Sequence, residues 1–251
     1  MELQRTLCLD ANSKVGEKVL LKGWIAKSRD HGGLIFIDLR DWSGVVQLVV
    51  DPSKNKEAYK ESKSAGVEYV VCAVGKVVNR KEGTDNPNLM TGKIEVEVEK
   101  LDILNKCLPL PFALDTDGHE IDENVRLKYR YLDLRRIRNR KMLQRRHDIM
   151  LFTRNWMDAH DFVEIQTPIL TVPSPEGARN YYVPSRKYSG KFFVLPQAPQ
   201  QYKQLLMVGG VHRYFQIAPC FRDEDARHDR HTGAFYQVDM ECSFVSQGEF
   251  F

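Results

Sequence analysis

Along the first hundred residues apolar side chains recur at every second position in five runs: KVLLKGWIAKSR, GLIFIDLRDW, GVVQLVVD, EYVVCAVGKVVN and KIEVEVEKLDIL. Alternation at period two marks strands with one face in a core and the other wet. Between the third and fourth runs, PSKNKEAYKESKSAG is polar, contains alanine and closes at Gly66, which predicts a short helix. In LIFIDLR the alternation sends Ile35, Ile37 and Leu39 to one face and Phe36, Asp38 and Arg40 to the other. An aromatic ring on a wet strand face is what base stacking needs, at about 1–3 kcal/mol per base. A ring tucked under a loop or at the barrel end gives the same pattern.

After residue 105 the pattern changes. NKCLPLPFALDTDGHEID has two prolines, a glycine and several acids, the composition of a connector. NRKMLQRRHDIMLFTRNWMDAHDF reads as a helix, with Ile149, Phe152 and Trp156 spaced for one buried face. FVEIQTPIL follows as a strand closed near Pro168. Two more β-like runs, RYFQIAPCFRDED and AFYQVDMECSF, flank the loop ARHDRHTG and predict an antiparallel pair. Period two places Phe235, Gln237, Asp239 and Glu241 on one face of the second run, and Arg222 and Glu224 share a face of the first. Burying such a set without partners costs several kcal/mol, about 2–7 per polar group in the harsher reference states, so the face predicts an open cleft.

Five strands with a helix after the third is the order of an OB-fold barrel, a scaffold that holds single-stranded nucleic acid. The chain therefore divides into a barrel over 1–104, a hinge over 105–125 and a second domain over 126–251, an α+β architecture.

With 42% hydrophobic and 28% charged residues, the 251-residue chain has globular composition. No basic start followed by an apolar run opens it and no apolar stretch reaches about 18 residues, so a cytoplasmic protein without a membrane span is expected. Five well-separated cysteines with no CxxC pair argue against a disulfide framework or a zinc site. Net charge is only +3, yet residues 126–148 carry ten Lys or Arg against two Asp, which suits either a phosphate backbone or a solvated helix face. The charged hairpin face fits a ligand with both anionic and cationic ends, such as ATP with an amino acid, and no GxxxxGK[ST] or GxGxxG offers another nucleotide route.

FRDED followed by DMECSF resembles motif 2 of class II aminoacyl-tRNA synthetases, and FVEIQTPIL resembles motif 1 with its proline. SPEGARNYYVPSR, LPQAPQQYKQLLM, RDHGGLIFIDLRD and RLKYRYLDLR narrow the resemblance to bacterial-type aspartyl-tRNA synthetases. It implies an anticodon-binding OB-fold, a hinge, and part of an antiparallel-sheet catalytic domain that forms a homodimer through motif 1. It implies ATP and magnesium, with L-aspartate activated to aspartyl-adenylate and passed to tRNA-Asp. By the same resemblance, Glu176, Gln200 and Asp239 hold the substrate ammonium group, with Gln237 on the same face, and Lys203 grips the side-chain carboxylate. Arg222 takes the α-phosphate, Glu224 and His231 are neighbouring ATP contacts, Phe235 is the adenine platform and Glu241 is a metal-side carboxylate. Arg222, Glu224 and Glu241 form the catalytic set.

In the barrel, Arg29, Phe36 and Gln47 match positions that read the anticodon. His31, with a glycine near Gly83, resembles enzymes that also charge tRNA-Asn. Ala234 stands where the family has a glutamate, and Asn180 where it has aspartate. The sequence ends at Phe251, short of the family's inserted domain and motif 3, so these residues alone are expected to aminoacylate little or not at all. Two alternatives remain open: a tRNA-binding piece without catalysis, and the related asparaginyl or lysyl enzymes.

Overall fold

A computed structural model describes residues 3–224 and 233–250. The chain folds as two compact units, Met1–Arg136 and Ile137–Phe251.

In the first unit, β1 (Lys18–His31), β2 (Leu34–Arg40), β3 (Val45–Val50), β4 (Val70–Asn79) and β5 (Ile94–Asn105) close a barrel in the order β1-β2-β3-β5-β4. β1 serves two neighbours, pairing antiparallel with β2 and with β4, and a bulge between Ile25 and Lys27 lets it turn the corner. The parallel pairing of β3 with β5, Leu48 opposite Val96, completes the closure. The predicted alternation is realised in β2, where Ile35, Ile37 and Leu39 are buried and Phe36 is not. These side chains meet Val19, Leu21, Leu48, Val71 and Val96 inside the barrel. Each fully buried aliphatic contributes about 1.5–3 kcal/mol. Gly75 is required where β4 crosses β5, because a Cβ there would lie 2.2 Å from the Glu97 carbonyl oxygen.

The predicted helix is α1 (Lys56–Ser64). Asn55 caps it by accepting from the Glu57 and Ala58 amides, and Ala58 and Ser62 face the barrel.

Residues 105–136 pack with the barrel, as two short helices, α2 (Glu123–Lys128) and α3 (Arg130–Asp133). Here the basic run meets neither of its two expected fates in full. Arg136 is 1% exposed; its Nε donates to Asp133 Oδ1 at 2.8 Å and its Nη2 to the Ala113 carbonyl at 2.7 Å, over the Phe112 ring. Arg135 pairs with Glu68, a buried carboxylate that Arg40 also holds at 2.7 and 2.8 Å. Charges that density alone assigned to phosphate or solvent are here structural, because Asp133 and Glu68 are buried and need them.

In the second unit, α4 (Ile137–Asp158) leads into β6 (Val163–Glu164), the short hairpin β7 (Tyr182–Pro184) and β8 (Phe192–Val194), α5 (Gln200–Val208), and the strands β9 (Arg213–Phe221) and β10 (Ala234–Cys242). The sheet order is β10-β9-β6: β9 and β10 run antiparallel as expected, and the two-residue β6 joins parallel to β9.

The expected buried face of α4 needs correcting. Ile149, Phe152 and Trp156 are 59%, 68% and 45% exposed. The more buried side is one position on, with Met150, Thr153 and Met157; the first two, with the edge of Ile149, line a small hollow against Ile217, Tyr236 and Val238. The helix carries apolar residues on two sides, so spacing found the period but not the phase. All five cysteines are free. Among the described residues no helix is long and apolar enough to cross a membrane.

Candidate functional site

The β9–β10 ladder sets the site. Phe235 pairs with Cys220, Gln237 with Ala218, Asp239 with Gln216 and Glu241 with Tyr214, so these residues share one face of the hairpin. Arg222 folds back over this face, its guanidinium 5.1 Å from the Phe235 ring centre. From α5, Lys203 reaches across: its Nζ lies 2.9 Å from Asp239 Oδ1 and 3.1 Å from Glu241 Oε2. Gln200 precedes it by three residues, one turn earlier on the same helix side.

Lys203 and Asp239 are both buried, which would normally drive an ammonium toward neutrality. Burial does pull the Lys203 pKa down, but the hydrogen bonds and charges of Asp239 and Glu241 outweigh it and the net shift is upward. The cation is thus held charged inside a largely dry face.

Cys220 reports what surrounds it. Burial pushes its thiol up to about 11, Arg222 opposes this, and the charges of Asp239 and Glu176 add to it. Glu176 is exposed on the loop before β7. That loop is tied to the hairpin by a reciprocal pair: the Arg179 Nε donates to the Asp223 carbonyl at 2.8 Å, and the Asp223 amide to the Arg179 carbonyl at 3.0 Å. Glu224 is exposed just beyond, and His231 lies outside the described residues. Asn180 accepts from Gln197 Nε2, and Gln197 also donates to the Ala178 carbonyl at 2.8 Å. Ala234 opens β10 opposite Phe221.

Three residues of this site escaped the sequence reading. Gln216, cross-strand from Asp239, accepts from the Tyr214 hydroxyl at 2.8 Å and from Thr167 Oγ1 at 3.0 Å. Tyr214 is fully buried, and burial with the charge of Asp239 pushes its hydroxyl above the ordinary tyrosine range. Gln197, also buried, clamps the Glu176 loop. The period-two pattern of RYFQIAPCF put Gln216 and Tyr214 on one face, but their register with β10 had no signal in the sequence.

On the barrel, Arg29, Asp30, His31, Phe36 and Gln47 line a hollow of about 470 Å³. Arg29 and Phe36 are register partners across β1 and β2, and Asp38 pairs with Gln47 across β2 and β3. Arg29 Nη2 stands 3.5 Å from Asp38 Oδ1. The ring of Phe36 thus faces an open hollow beside a cation and an amide, the furniture of base recognition. Gly83 is at φ +79 in the β4–β5 connection and is not among the residues lining the hollow.

A barrel with a wet aromatic floor, and a hairpin presenting arginine, phenyl ring and carboxylates to one side, define the class. Residues 122–251 match the model of tRNA synthetases class II (D, K and N), and residues 19–104 match that of an OB-fold nucleic acid binding domain. The chain belongs to the class II tRNA synthetases of the D, K and N group.

Within that family, it is 55% identical over 245 residues to an aspartate–tRNA(Asp/Asn) ligase of Dictyoglomus turgidum and 52% identical over 241 residues to that of Bacillus subtilis. These alignments cover 97% and 96% of this chain but only 41% and 40% of those proteins, so the chain spans about two fifths of their length. Among solved structures, asparaginyl-tRNA synthetase from Pyrococcus horikoshii complexed with asparaginyl-adenylate superposes with a TM-score of 0.86 at 25% identity, over 99% of this chain and 55% of that one. Aspartyl tRNA synthetase from Entamoeba histolytica, 20% identical over 98% of this chain and 51% of that one, shares the fold with a TM-score of 0.81.

Proposed function

We propose that this chain is the barrel and first catalytic portion of an aspartate–tRNA ligase, which activates L-aspartate with ATP and passes it to tRNA-Asp and, by the His31-type barrel, to tRNA-Asn. The observation that carries the reading is Lys203 held charged between Asp239 and Glu241 on the face that also presents Arg222 and Phe235. The high identity to ligases named for both tRNAs supports it.

The substrate's side-chain carboxylate would take Lys203, and its ammonium group would take Asp239 with Glu176 and Gln200, Gln237 lying on the same face. Asparagine offers Lys203 no charge to exchange for its carboxylate partners, so its amide does not replace the contacts it would displace. Phe235 would stack on adenine and Arg222 would leave its ring for the α-phosphate, with Glu224 and His231 as neighbouring ATP contacts. The aspartate α-carboxylate oxygen then attacks the α-phosphorus and pyrophosphate departs. The tRNA terminal hydroxyl attacks the acyl carbon and AMP departs. No covalent enzyme intermediate is needed, so the protein contributes positioning and charge stabilisation.

Among the described residues no cluster of three or more His, Cys, Asp or Glu is built to hold a metal ion. Magnesium asks for less, one or two carboxylates with phosphate oxygens completing its shell, and the half-buried Glu241 suits that demand. Bound there, the ion would neutralise phosphate charge. On the barrel, Phe36 would stack on an anticodon base while Arg29, His31 and Gln47 contact its edge or phosphate, with Gly83 shaping the neighbouring connection. The exposed apolar side of α4, including Phe152 and Trp156, is the surface a second copy would cover in a homodimer through motif 1.

Calorimetric titration with non-hydrolysable aspartyl-, asparaginyl- and lysyl-adenylate analogues tests the reading. The aspartyl analogue is expected to bind tightest. Preference for either of the others transfers the chain to that branch of the family.

A further inference from the structure

Residues 177–222 contain seven Lys or Arg and no Asp or Glu. Within that acid-free stretch the β7–β8 hairpin gathers Arg186, Lys187 and Lys191 at its tip, all exposed and none ion-paired to a described residue. The same few residues expose three large rings, Tyr182, Tyr188 and Phe192, each more than half accessible. Tyr182 and Phe192 meet edge to face at 6.3 Å, and the Lys187 ammonium lies 5.3 Å from the Tyr188 ring centre.

The tip is an ordered turn. The Ser185 amide donates to the Lys191 carbonyl at 2.9 Å, the Tyr188 amide to Ser185 Oγ at 3.1 Å, and the Lys191 amide to the Tyr188 carbonyl at 3.2 Å.

Its root lies at the lip of the candidate site. The Leu195 amide donates to the Tyr181 carbonyl, and a Cβ on Gly233 would lie 2.6 Å from the Tyr181 hydroxyl, two residues before Phe235. Single exposed apolar residues are ordinary, but rings interleaved with cations that no described acid pairs are the composition of a surface for unstacked bases and phosphates.

We infer that the β7–β8 hairpin is a landing surface for the unpaired 3′ end of RNA delivered to the neighbouring hairpin face, the cations taking phosphates and Tyr188 stacking on a base. This rests on the tRNA reading above for the nature of the polymer. Aromatic stacking gives sequence-tolerant grip, and cations in an acid-free stretch give a salt-dependent one.

The test is binding of two RNA stem-loops to the 251-residue chain, one with a short single-stranded 3′ end and one blunt, followed by anisotropy across a salt series. A variant with Arg186→Ala, Lys187→Ala and Lys191→Ala is expected to bind the overhang RNA at least about tenfold more weakly, with the salt slope lowered by about 2. Tyr188→Leu is expected to lose about tenfold on the overhang RNA alone. Binding of the blunt RNA should move little in either variant. Unchanged affinity for the overhang RNA in both variants overturns the inference, as does a change in sedimentation without a change in RNA binding, which would make the hairpin a protein interface. If an anticodon stem-loop still binds and loses affinity with Phe36→Ala, that failure belongs to the hairpin alone. If the wild-type chain binds no RNA of any kind, the tRNA reading falls with it.

Discussion

Lys203 and Asp239, thirty-six positions apart in sequence, form a buried ion pair at 2.9 Å between α5 and β10. With Glu241 at 3.1 Å from the same ammonium, the charge of Lys203 is already met by two protein carboxylates before any ligand arrives. A substrate carboxylate must therefore exchange with groups already on Lys203, and the site selects for a ligand that replaces both partners' charges.

Removing the cation exposes that dependence. Lys203→Met leaves Asp239 and Glu241 facing each other without a counter-charge, and affinity for the aspartyl-adenylate analogue should drop by about 1.5–3 kcal/mol, the worth of a charged hydrogen bond. Calorimetry measures it. An asparaginyl analogue should lose less, because its amide gains little from the ammonium.

The same pair predicts a pH dependence. The Lys203 pKa is raised in the folded state, with burial working against the shift and the two carboxylates prevailing. Its stabilisation is then complete below the unfolded value of 10.5 and fades as pH rises through the higher folded value. Thermal melts in strongly alkaline buffer should fall more steeply for the wild type than for Lys203→Met.

Arg222 lies over Phe235 with its Nε buried and without a hydrogen bond. Arg222→Lys keeps the charge but loses the planar fork, so ATP should bind about tenfold or more weakly while the melting temperature changes little. Equilibrium dialysis with ATP checks this.

In the barrel, Phe36→Ala should weaken binding of an anticodon stem-loop by about 1–3 kcal/mol, one stacked base. The barrel core is formed by the opposite face, Ile35, Ile37 and Leu39, so the unfolding midpoint should hold.

Arg136→Ala addresses a structural charge. It removes one of the two arginines on the fully buried Asp133, leaving Arg130 at 2.9 Å from Oδ2, and it removes a donor to the Ala113 carbonyl. A loss of about 1.5–3 kcal/mol, the worth of a charged hydrogen bond, is expected in denaturant unfolding of the first unit, with a smaller loss for Arg136→Lys, which keeps a cation beside Asp133.

The sequence was most readable where one physical rule decided the outcome. Alternation alone separated Ile35, Ile37 and Leu39 from Phe36, because a strand half in a core has only two faces. It also put Phe235, Gln237, Asp239 and Glu241 together on β10, and the ladder keeps them so. In α4 the rule was ambiguous: with apolar residues on both sides, spacing chose Ile149, Phe152 and Trp156, whereas Met157 is the one that is buried. Arg135 and Arg136 looked like solvent or phosphate charges because their partners, Glu68 and Asp133, are identified only by tertiary contact. The Lys203–Asp239 bond was invisible for the same reason, as was the Tyr214–Gln216–Thr167 chain beneath it.

The most direct measurement is a crystal structure of this chain with the aspartyl-adenylate analogue. The analogue's side-chain carboxylate is expected on Lys203, its ammonium group near Asp239, and Arg222 moved from Phe235 to the phosphate. An analogue bound elsewhere, with Lys203 still closed on Asp239 and Arg222 still over the ring, would contradict it.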